Sequence, residues 1–351
     1  MIGTVPSQKA QKANDSLQFF PSIPLLGNTP VQPIDLLICG KMRRIYLKLE
    51  GANITGSMKA RTAFSLLRSL EQQNRLHKGD IVVESSSGNL GVALAYFCQL
   101  KGYRFLAIVD PKITFENLQK MQKFNAEVEM VDQPDACGGY LLSRLQRVKE
   151  LCDTHRTYVW TDQYANPANP LVHYARTAPE VYRQMHQKID VIFIPVSTGG
   201  TLAGMGRFLR DVSPATQVIG VDAYGSVTFG TPPASRKLTG IGSSKSSVFL
   251  SKDLFDDYIL VKDEEAFTFC QALYQSANIF VGGSSGAVIA ACAQYLAKYS
   301  DLAHVVCICA DAGENYLSTI FNPEWIRQQD LDISPRHLGY VESFKQVPDH
   351  F

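Results

Sequence analysis

From residue 44 onward, short β-branched or aliphatic runs alternate with longer amphipathic stretches, and this rhythm restricts the fold more than any single motif. The runs are "RIYLKLE" (44–50), "DIVVES" (80–85), "RFLAIVD" (104–110), "EVEMVD" (127–132), "TYVWTD" (157–162), "VIFIPVS" (191–197), "QVIGVDA" (217–223), "DYILVKD" (257–263) and "AHVVCICAD" (303–311). Helical patterns such as "FENLQKMQKFN" and "YLLSRLQRVKELCDTH" lie between them. Strands apolar on both faces predict parallel sheets covered by helices. A chain of 351 residues has room for two such units, and the Asn/Pro-rich "QYANPANP" (163–170) reads as their joint. The expectation is therefore two three-layer α/β domains. A small one spans 52–163, and a larger one combines 19–51 with 164–330. The polar start (1–18) reads as a loose arm, and the tail (331–351) has no assigned role.

Composition narrows the partners. Lys and Arg number 34 against 33 Asp and Glu, for a net charge of +1, so there is no electrostatic footprint for nucleic acid or an anionic membrane. A small molecule in a cleft is the better expectation. The eight cysteines, at 39, 98, 137, 152, 270, 292, 307 and 309, form no CxxC pair and mostly lie in apolar runs, which favours buried free thiols over metal or disulfide use. No metal is expected. With no signal-peptide pattern and no bilayer-length apolar stretch, the reading is a cytoplasmic protein.

In parallel sheets ligands collect beyond the carboxyl ends of strands, so the strand-to-helix turns carry the chemistry. "ESSSGNLG" (84–91) offers three hydroxyls and a glycine at a helix start, where free N–H groups suit a carboxylate; an ordinary serine cap is the plainer alternative. "STGGTLAG" (197–204) offers two glycines and three hydroxyls, a cradle for a phosphate, without the Lys-Ser/Thr of a nucleotide loop or a spaced GxGxxG. A turn that merely packs on its helix would look similar. "VGGSSGAVIA" (281–290) places Ser284 at a third helix start, a weak signal by itself. "NITGSMKAR" (53–61) adds Lys59, which is either an exposed lysine behind a Ser57 cap or a buried amine held for covalent work. A lysine, an anion loop, a phosphate cradle and a lone serine together are the parts that pyridoxal phosphate needs, with Lys59 as its Schiff-base partner.

At these motifs the chain resembles the cysteine synthase group of pyridoxal-phosphate enzymes, over roughly residues 20–325. "LGNTPV" (26–31) resembles the group's opening motif, "NITGSMKAR" its lysine motif, "SSSGNLG" its substrate loop and "STGGT" its phosphate loop. "GGSSGA" and "DAGENYLST" resemble its two closing motifs. The resemblance implies fold type II, the architecture of the tryptophan synthase β-subunit, with pyridoxal 5′-phosphate in the interdomain cleft and a homodimeric assembly. It implies that Lys59 forms the internal aldimine and later serves as general base. Asn89 would meet the cofactor's 3′-oxygen and Ser284 its ring nitrogen, while Ser197, Thr198, Gly199, Gly200 and Thr201 hold its phosphate. Ser86, Ser87, Gly88 and Asn89 would grip the substrate carboxylate. A serine at the ring nitrogen favours β-elimination to an aminoacrylate followed by addition of a nucleophile. The lysine motif departs at Ile54, usually Pro, and at Ala60, usually Asp. Losing that Asp removes a first-turn dipole interaction worth roughly 0.3–1 kcal/mol and no group that does chemistry.

Within the group, "VDPKI" (109–113), "DQPDACGGYLLSRLQRVKEL" (132–151), "DQYAN" (162–166), "GSVTFG" (225–230) and "LTGIGSS" (238–244) resemble the branch of N-(2-amino-2-carboxyethyl)-L-glutamate synthases. Ser197 agrees, since cysteine synthases usually carry Gly there. That branch joins O-phospho-L-serine to L-glutamate on the way to 2,3-diaminopropionate, a building block of siderophores and peptide antibiotics. Arg144 is the candidate for the leaving phosphate, although helical periodicity alone makes it a solvated arginine. Tyr164 faces the second substrate or packs at the joint, and Ser226 is placed at the cleft entrance. Two other readings stand beside this one: a cysteine synthase using O-acetyl- or O-phosphoserine with sulfide, and a non-catalytic relative. The presence of Lys59, Asn89 and Ser284 disfavours the last.

Overall fold

The computed structural model describes residues 26–135, 139–299 and 302–347; the arm expected at 1–18 and Cys137 lie outside the described residues. Two sheets organise them. Seven strands stand in the order β11-β1-β2-β10-β7-β8-β9, where β1 is Val31–Ile38, β2 Lys41–Leu49, β7 Val191–Pro195, β8 Gln217–Ala223, β9 Asp257–Val261, β10 Val305–Cys309 and β11 Val341–Gln346. Four strands stand in the order β5-β4-β3-β6, where β3 is Ile81–Ser85, β4 Arg104–Val109, β5 Glu127–Met130 and β6 Tyr158–Trp160. The smaller sheet is parallel throughout, as is the larger from β2 to β9. The helices that matter below are α1 (Lys59–Gln72), α2 (Asn89–Lys101), α3 (Phe115–Lys123), α4 (Leu141–Thr154), α5 (Ala168–Val172), α6 (Ala178–Gln184), α7 (Gly200–Val212), α8 (Asp263–Ala277) and α9 (Gly283–Lys298).

The central strands of each sheet, β3 in the small one and β7 and β10 in the large one, are buried at every residue, their neighbouring side chains pointing to opposite, covered faces. In β7, Val191 and Phe193 join the core with α8 and α9, while Ile192 and Ile194 join the one with α6 and α7. In the small sheet, Val82, Ala107 and Val109 pack on α1 and α2, and Ile81, Val83, Leu106 and Ile108 pack on α4. This two-sided burial is why the strands read as continuous apolar runs.

Two strands escape the sequence pattern. β1 carries Pro33 and makes a hairpin with β2 through Cys39 (φ 49°) and Gly40 (φ 71°), the pair of left-handed residues that a two-residue turn requires. Pro33 falls just before the β11 register begins at Ile34, so its missing N–H costs that pairing nothing. The tail that had no assigned role supplies β11, antiparallel to β1 at the sheet edge.

Candidate active site

The loop before Lys59 is stitched to the end of β10: Met58 N–H donates to Ala310 O at 2.8 Å, Ala312 N–H donates to Gly56 O at 3.1 Å, and Ser57 bridges Asp311. Lys59 is the first residue of α1, and its backbone N–H donates to Ser57 Oγ at 3.3 Å, so Ser57 keeps part of the capping role. Arg61, on the opposite side of the helix start, donates to Glu50 through Nε and Nη2 at 2.7 Å and to Glu180 through Nη1 and Nη2 at 2.9 Å. Lys48 closes a buried quartet on Glu180 at 2.5 Å. Burial alone would raise Glu180, but the hydrogen bonds and charges of Arg61 and Lys48 hold it at about 2. Two cations against two carboxylates leave the quartet neutral, the condition for burying it.

Lys59 faces a cleft of about 360 Å³ at the carboxyl ends of both sheets. Burial pushes its amine down to about 8, against the pull of Asp311. It is half-buried because it lines that cleft.

The turn after β7 forms the second wall. Gly199 has φ 86° and caps α7, and a Cβ there would stand 2.2 Å from Ser247 Oγ; one on Gly200 would stand 2.3 Å from Asn169 Oδ1. Both glycines are thus steric necessities, and the first turn of α7 presents its free N–H groups at the cleft. Ser197, Thr198, Gly199 and Thr201 line the cleft, whereas Gly200 packs behind on Asn169. Thr198 Oγ1 accepts from Asn169 Nδ2 at 3.0 Å, and Ser197 Oγ donates to Gly242 O at 3.1 Å. Beneath them His173 touches Thr62, Thr201 and Thr177 at 3.2, 3.3 and 3.0 Å. Burial, then the charges of Lys59 and Arg61, hold its pKa well below the usual range, so it is a neutral brace.

The turn after β3 supplies Ser86, Ser87, Gly88 and Asn89, all on the cleft wall. Ser86 Oγ accepts from Gly91 N–H at 3.0 Å. No atom stands within 4 Å of where a Cβ on Gly88 would be, so the backbone there is open to a ligand. Ser87 Oγ donates to Asp110 Oδ2 at 2.9 Å and accepts from Arg144 Nη1 at 3.2 Å, while Arg144 Nε lies 3.1 Å from Asp110 Oδ2. Arg144 is therefore no solvated helix arginine; its side chain is 11% exposed and fixed against the Ser86–Asn89 turn. Tyr164 lines the same wall, its phenol pushed up to about 12 by burial. Ser226 does not reach the cleft. It is fully buried, with its Oγ against Thr228 Oγ1 at 2.9 Å and accepting from Ser243 N–H at 3.0 Å, and only its neighbours Gly225 and Val227 line the wall. Its hydrogen bonds with Thr228 and Ser243 hold the hydroxyl inward.

Among the cleft residues that the sequence left unassigned are Asp311, Gln163, Lys112 and Arg236. Asp311 is the hub. Tyr316 Oη donates to its Oδ2 at 2.5 Å, Asn89 Nδ2 to Oδ2 at 2.6 Å, and Ser284 Oγ to Oδ1 at 3.4 Å. Burial lifts its carboxyl to about 6 against those bonds and the charge of Lys59. Ser284 is 1% exposed and faces Asp311 rather than the open cleft, and Asn89 is held further by Asn315 Nδ2 at 2.9 Å. The signal for Asp311 was available, since it opens "DAGENYLST" directly after a strand; the signal for Lys112 and Arg236 was not, since loop cations carry no periodicity.

An amine of low pKa with no hydrogen-bond partner among the described residues, a helix N-terminus with hydroxyls for an anion, and a carboxylate–hydroxyl–amide cluster opposite fit a phosphorylated carbonyl compound. The family model described as pyridoxal-phosphate dependent enzyme matches residues 23–311. The chain belongs to this family. Pyridoxal phosphate is its cofactor, and the chain is a pyridoxal-phosphate dependent enzyme with the fold type II architecture. An N-(2-amino-2-carboxyethyl)-L-glutamate synthase of Cupriavidus metallidurans is 40% identical over 305 residues, covering 86% of this chain and 89% of the relative. One of Ralstonia nicotianae is 38% identical over 301 residues, with the same coverage. A crystal structure of a hydrogen sulfide-producing enzyme from Fusobacterium nucleatum superposes with a TM-score of 0.78 at 28% identity, over 84% of this chain and 98% of that one. Among the described residues no group of His, Cys, Asp and Glu is arranged to hold a metal ion, and no helix is long and apolar enough to cross a membrane.

Proposed function

We propose that this enzyme carries out β-replacement on O-phospho-L-serine, expelling phosphate and joining the β-carbon to the amine of L-glutamate, to give N-(2-amino-2-carboxyethyl)-L-glutamate, a precursor of 2,3-diaminopropionate. Lys59 holds the cofactor's carbonyl carbon. Ser197, Thr198, Thr201 and the backbone of Gly199 and Gly200 hold its phosphate, Asn89 its ring oxygen and Ser284 its ring nitrogen. When bound, the cofactor supplies the sink for the electron pair left at the substrate Cα. The carboxylate loop, Ser86 to Asn89, fixes the substrate so that the Lys59 amine, lowered to about 8 by burial, takes the Cα proton. Arg144 receives the leaving phosphate, and Tyr164 lines the path of the acceptor. The same reading takes the enzyme as a cytoplasmic homodimer, on the resemblance alone.

The observation that carries the choice of donor is the position of Arg144, hydrogen-bonded to the Ser87 hydroxyl of the carboxylate loop. A fork of N–H donors beside the loop that grips one anionic group suits a substrate with a second. The two relatives named above support the acceptor. Incubating the holoenzyme with O-phosphoserine and either glutamate or sulfide, with products read by mass spectrometry, tests the proposal. The glutamate adduct is expected, and cysteine without the adduct would establish a sulfide-using synthase instead.

A further inference from the structure

Two cations at the mouth of the cleft have no task in this scheme. Lys112 follows β4 of the small sheet, in a turn held by its own N–H donating to Asp110 Oδ1 at 2.8 Å. Arg236 belongs to the long loop after β8 of the large sheet, where its Nη1 donates to Gly225 O at 3.1 Å. Both line the cleft. The carboxylates nearest them are already occupied: Asp110 by Ser87 and Arg144, and Asp263 by the N–H groups of Lys237 and Leu238 at 2.6 and 3.0 Å. Asp222 is fully buried below Arg236, accepting from Ala223 N–H. Burial lowers the pKa of both cations and the charge of Arg236 lowers Lys112 further, while Asp110 and Asp263 on Lys112, and Asp222 and Asp263 on Arg236, offset this only in part. The two cations thus line one cleft, one from each sheet, and neither makes an ion pair among the described residues.

We propose that Lys112 and Arg236 form the subsite for the distal carboxylate of the acceptor amino acid, bridged by that carboxylate across the cleft mouth. The inference rests on the reading that an amino acid is the acceptor. The donor's two anionic groups already have the carboxylate loop and Arg144, both on the small-sheet side. A further anion arriving with the acceptor finds Lys112 and Arg236 on the same cleft, neither of them engaged in an ion pair among the described residues. Because each cation belongs to a different sheet, the bridging carboxylate also draws the two walls together over the reacting atoms.

The test uses the holoenzyme with Lys112→Gln, Arg236→Gln and Arg236→Lys, read three ways: KM for glutamate, the rate ratio of glutamate to glutamine, and phosphate release from O-phosphoserine without acceptor. Losing one charged hydrogen-bond donor is expected to raise the glutamate KM by roughly 10- to 100-fold. The glutamate-to-glutamine ratio should collapse toward one, phosphate release should change far less, and Arg236→Lys should recover part of the loss. The cofactor's absorbance reports folding of each variant; should Arg236→Gln lose it, Lys112→Gln decides, since that side chain makes no hydrogen bond within the described residues. A glutamate KM unchanged in both neutral variants overturns the inference. So does phosphate release that falls as far as glutamate use, which would assign the pair to the donor phosphate. Failure of the unaltered enzyme to form any glutamate adduct overturns the proposed function itself, and it shows before any variant is made.

Discussion

Asp311→Asn isolates the electrostatics of the lysine. The change is nearly isosteric, and the hydrogen bonds can persist: the amide oxygen takes the place of Oδ2, accepting from Tyr316 and Asn89, and the amide nitrogen faces Ser284 Oγ, which accepts as well as donates. What is removed is the negative charge facing Lys59. In the unaltered protein burial brings the Lys59 amine to about 8 while Asp311 pulls it upward. At pH 7 that leaves about 10% of the amine neutral, against about 0.03% at the ordinary lysine value, a gain of roughly 300-fold. Removing an opposite charge at close range lowers such an amine by roughly 1–3 further pH units. The variant should therefore hold at least about half of Lys59 neutral at pH 7 and capture pyridoxal phosphate about fivefold faster there.

The sign has a window. Asp311 itself titrates near 6, so below that pH it is neutral in the unaltered protein and the two proteins should converge. Above about pH 9 both amines are neutral and they should converge again. The assay is the rate of pyridoxal phosphate uptake by apoprotein from pH 5 to 10, with borohydride trapping and peptide mass spectrometry to verify that Lys59 is the residue modified. A variant midpoint equal to or above that of the unaltered protein would refute the reasoning, because the charge of Asp311 would then not be acting on Lys59.

Two further outcomes concern stability. Arg61→Met leaves Glu50 and Glu180 sharing Lys48 as their one cation, which should cost about 3–5 kcal/mol in urea unfolding of the apoprotein; a loss under about 1 kcal/mol would mean the quartet contributes little. Glu84, fully buried at the end of β3, is pushed up to about 7 by burial despite donors from Thr161, Gln163, Ser85 and Trp160. An acid raised in the folded state favours folding below its unfolded value and loses that advantage as pH rises through about 7, a swing of about 3 kcal/mol. Glu84→Gln should flatten the fall in urea midpoint between pH 5 and 8, and an unaltered slope would count against the assignment.

The sequence carried much of this in its own periodicity. All nine strands read from apolar runs are present, because strands buried on both faces need continuous β-branched residues. β1 was hidden by Pro33 and β11 by its polar edge position, both being antiparallel strands that lack a second covered face along their length. Residues whose role depends on backbone shape, such as Gly199 and Thr201, were legible from the turn in which they stand. Residues whose role depends on which distant segments meet were not. Ser226 has the composition of a cleft residue and turns inward, while Arg236, further along the same loop, turns to the cleft. Nothing local to either residue distinguishes the two outcomes.

The lysine motif shows how local spacing and distant contacts combine. Lys59 and Arg61 are two residues apart at the first turn of α1, which places them on opposite sides of the helix. Arg61 is locked between Glu50, just after β2 of the large sheet, and Glu180 of α6, which packs on that sheet, although α1 packs in the core of the small one. The helix start is thereby tied to the large sheet by four charge-assisted hydrogen bonds, and the loop before it is tied to β10. The Ser86–Asn89 turn lacks such a tie: of its members, Asn89 reaches the large-sheet side through single hydrogen bonds to Asp311 and Asn315. Further ties from the small-sheet side run from α3, where Glu116 accepts from Ser318 and Lys120 donates to Asn315. Lys59 therefore stands at the most heavily tied point of the cleft wall, while Ser86, Ser87 and Gly88 are held, among the described residues, from the small-sheet side alone.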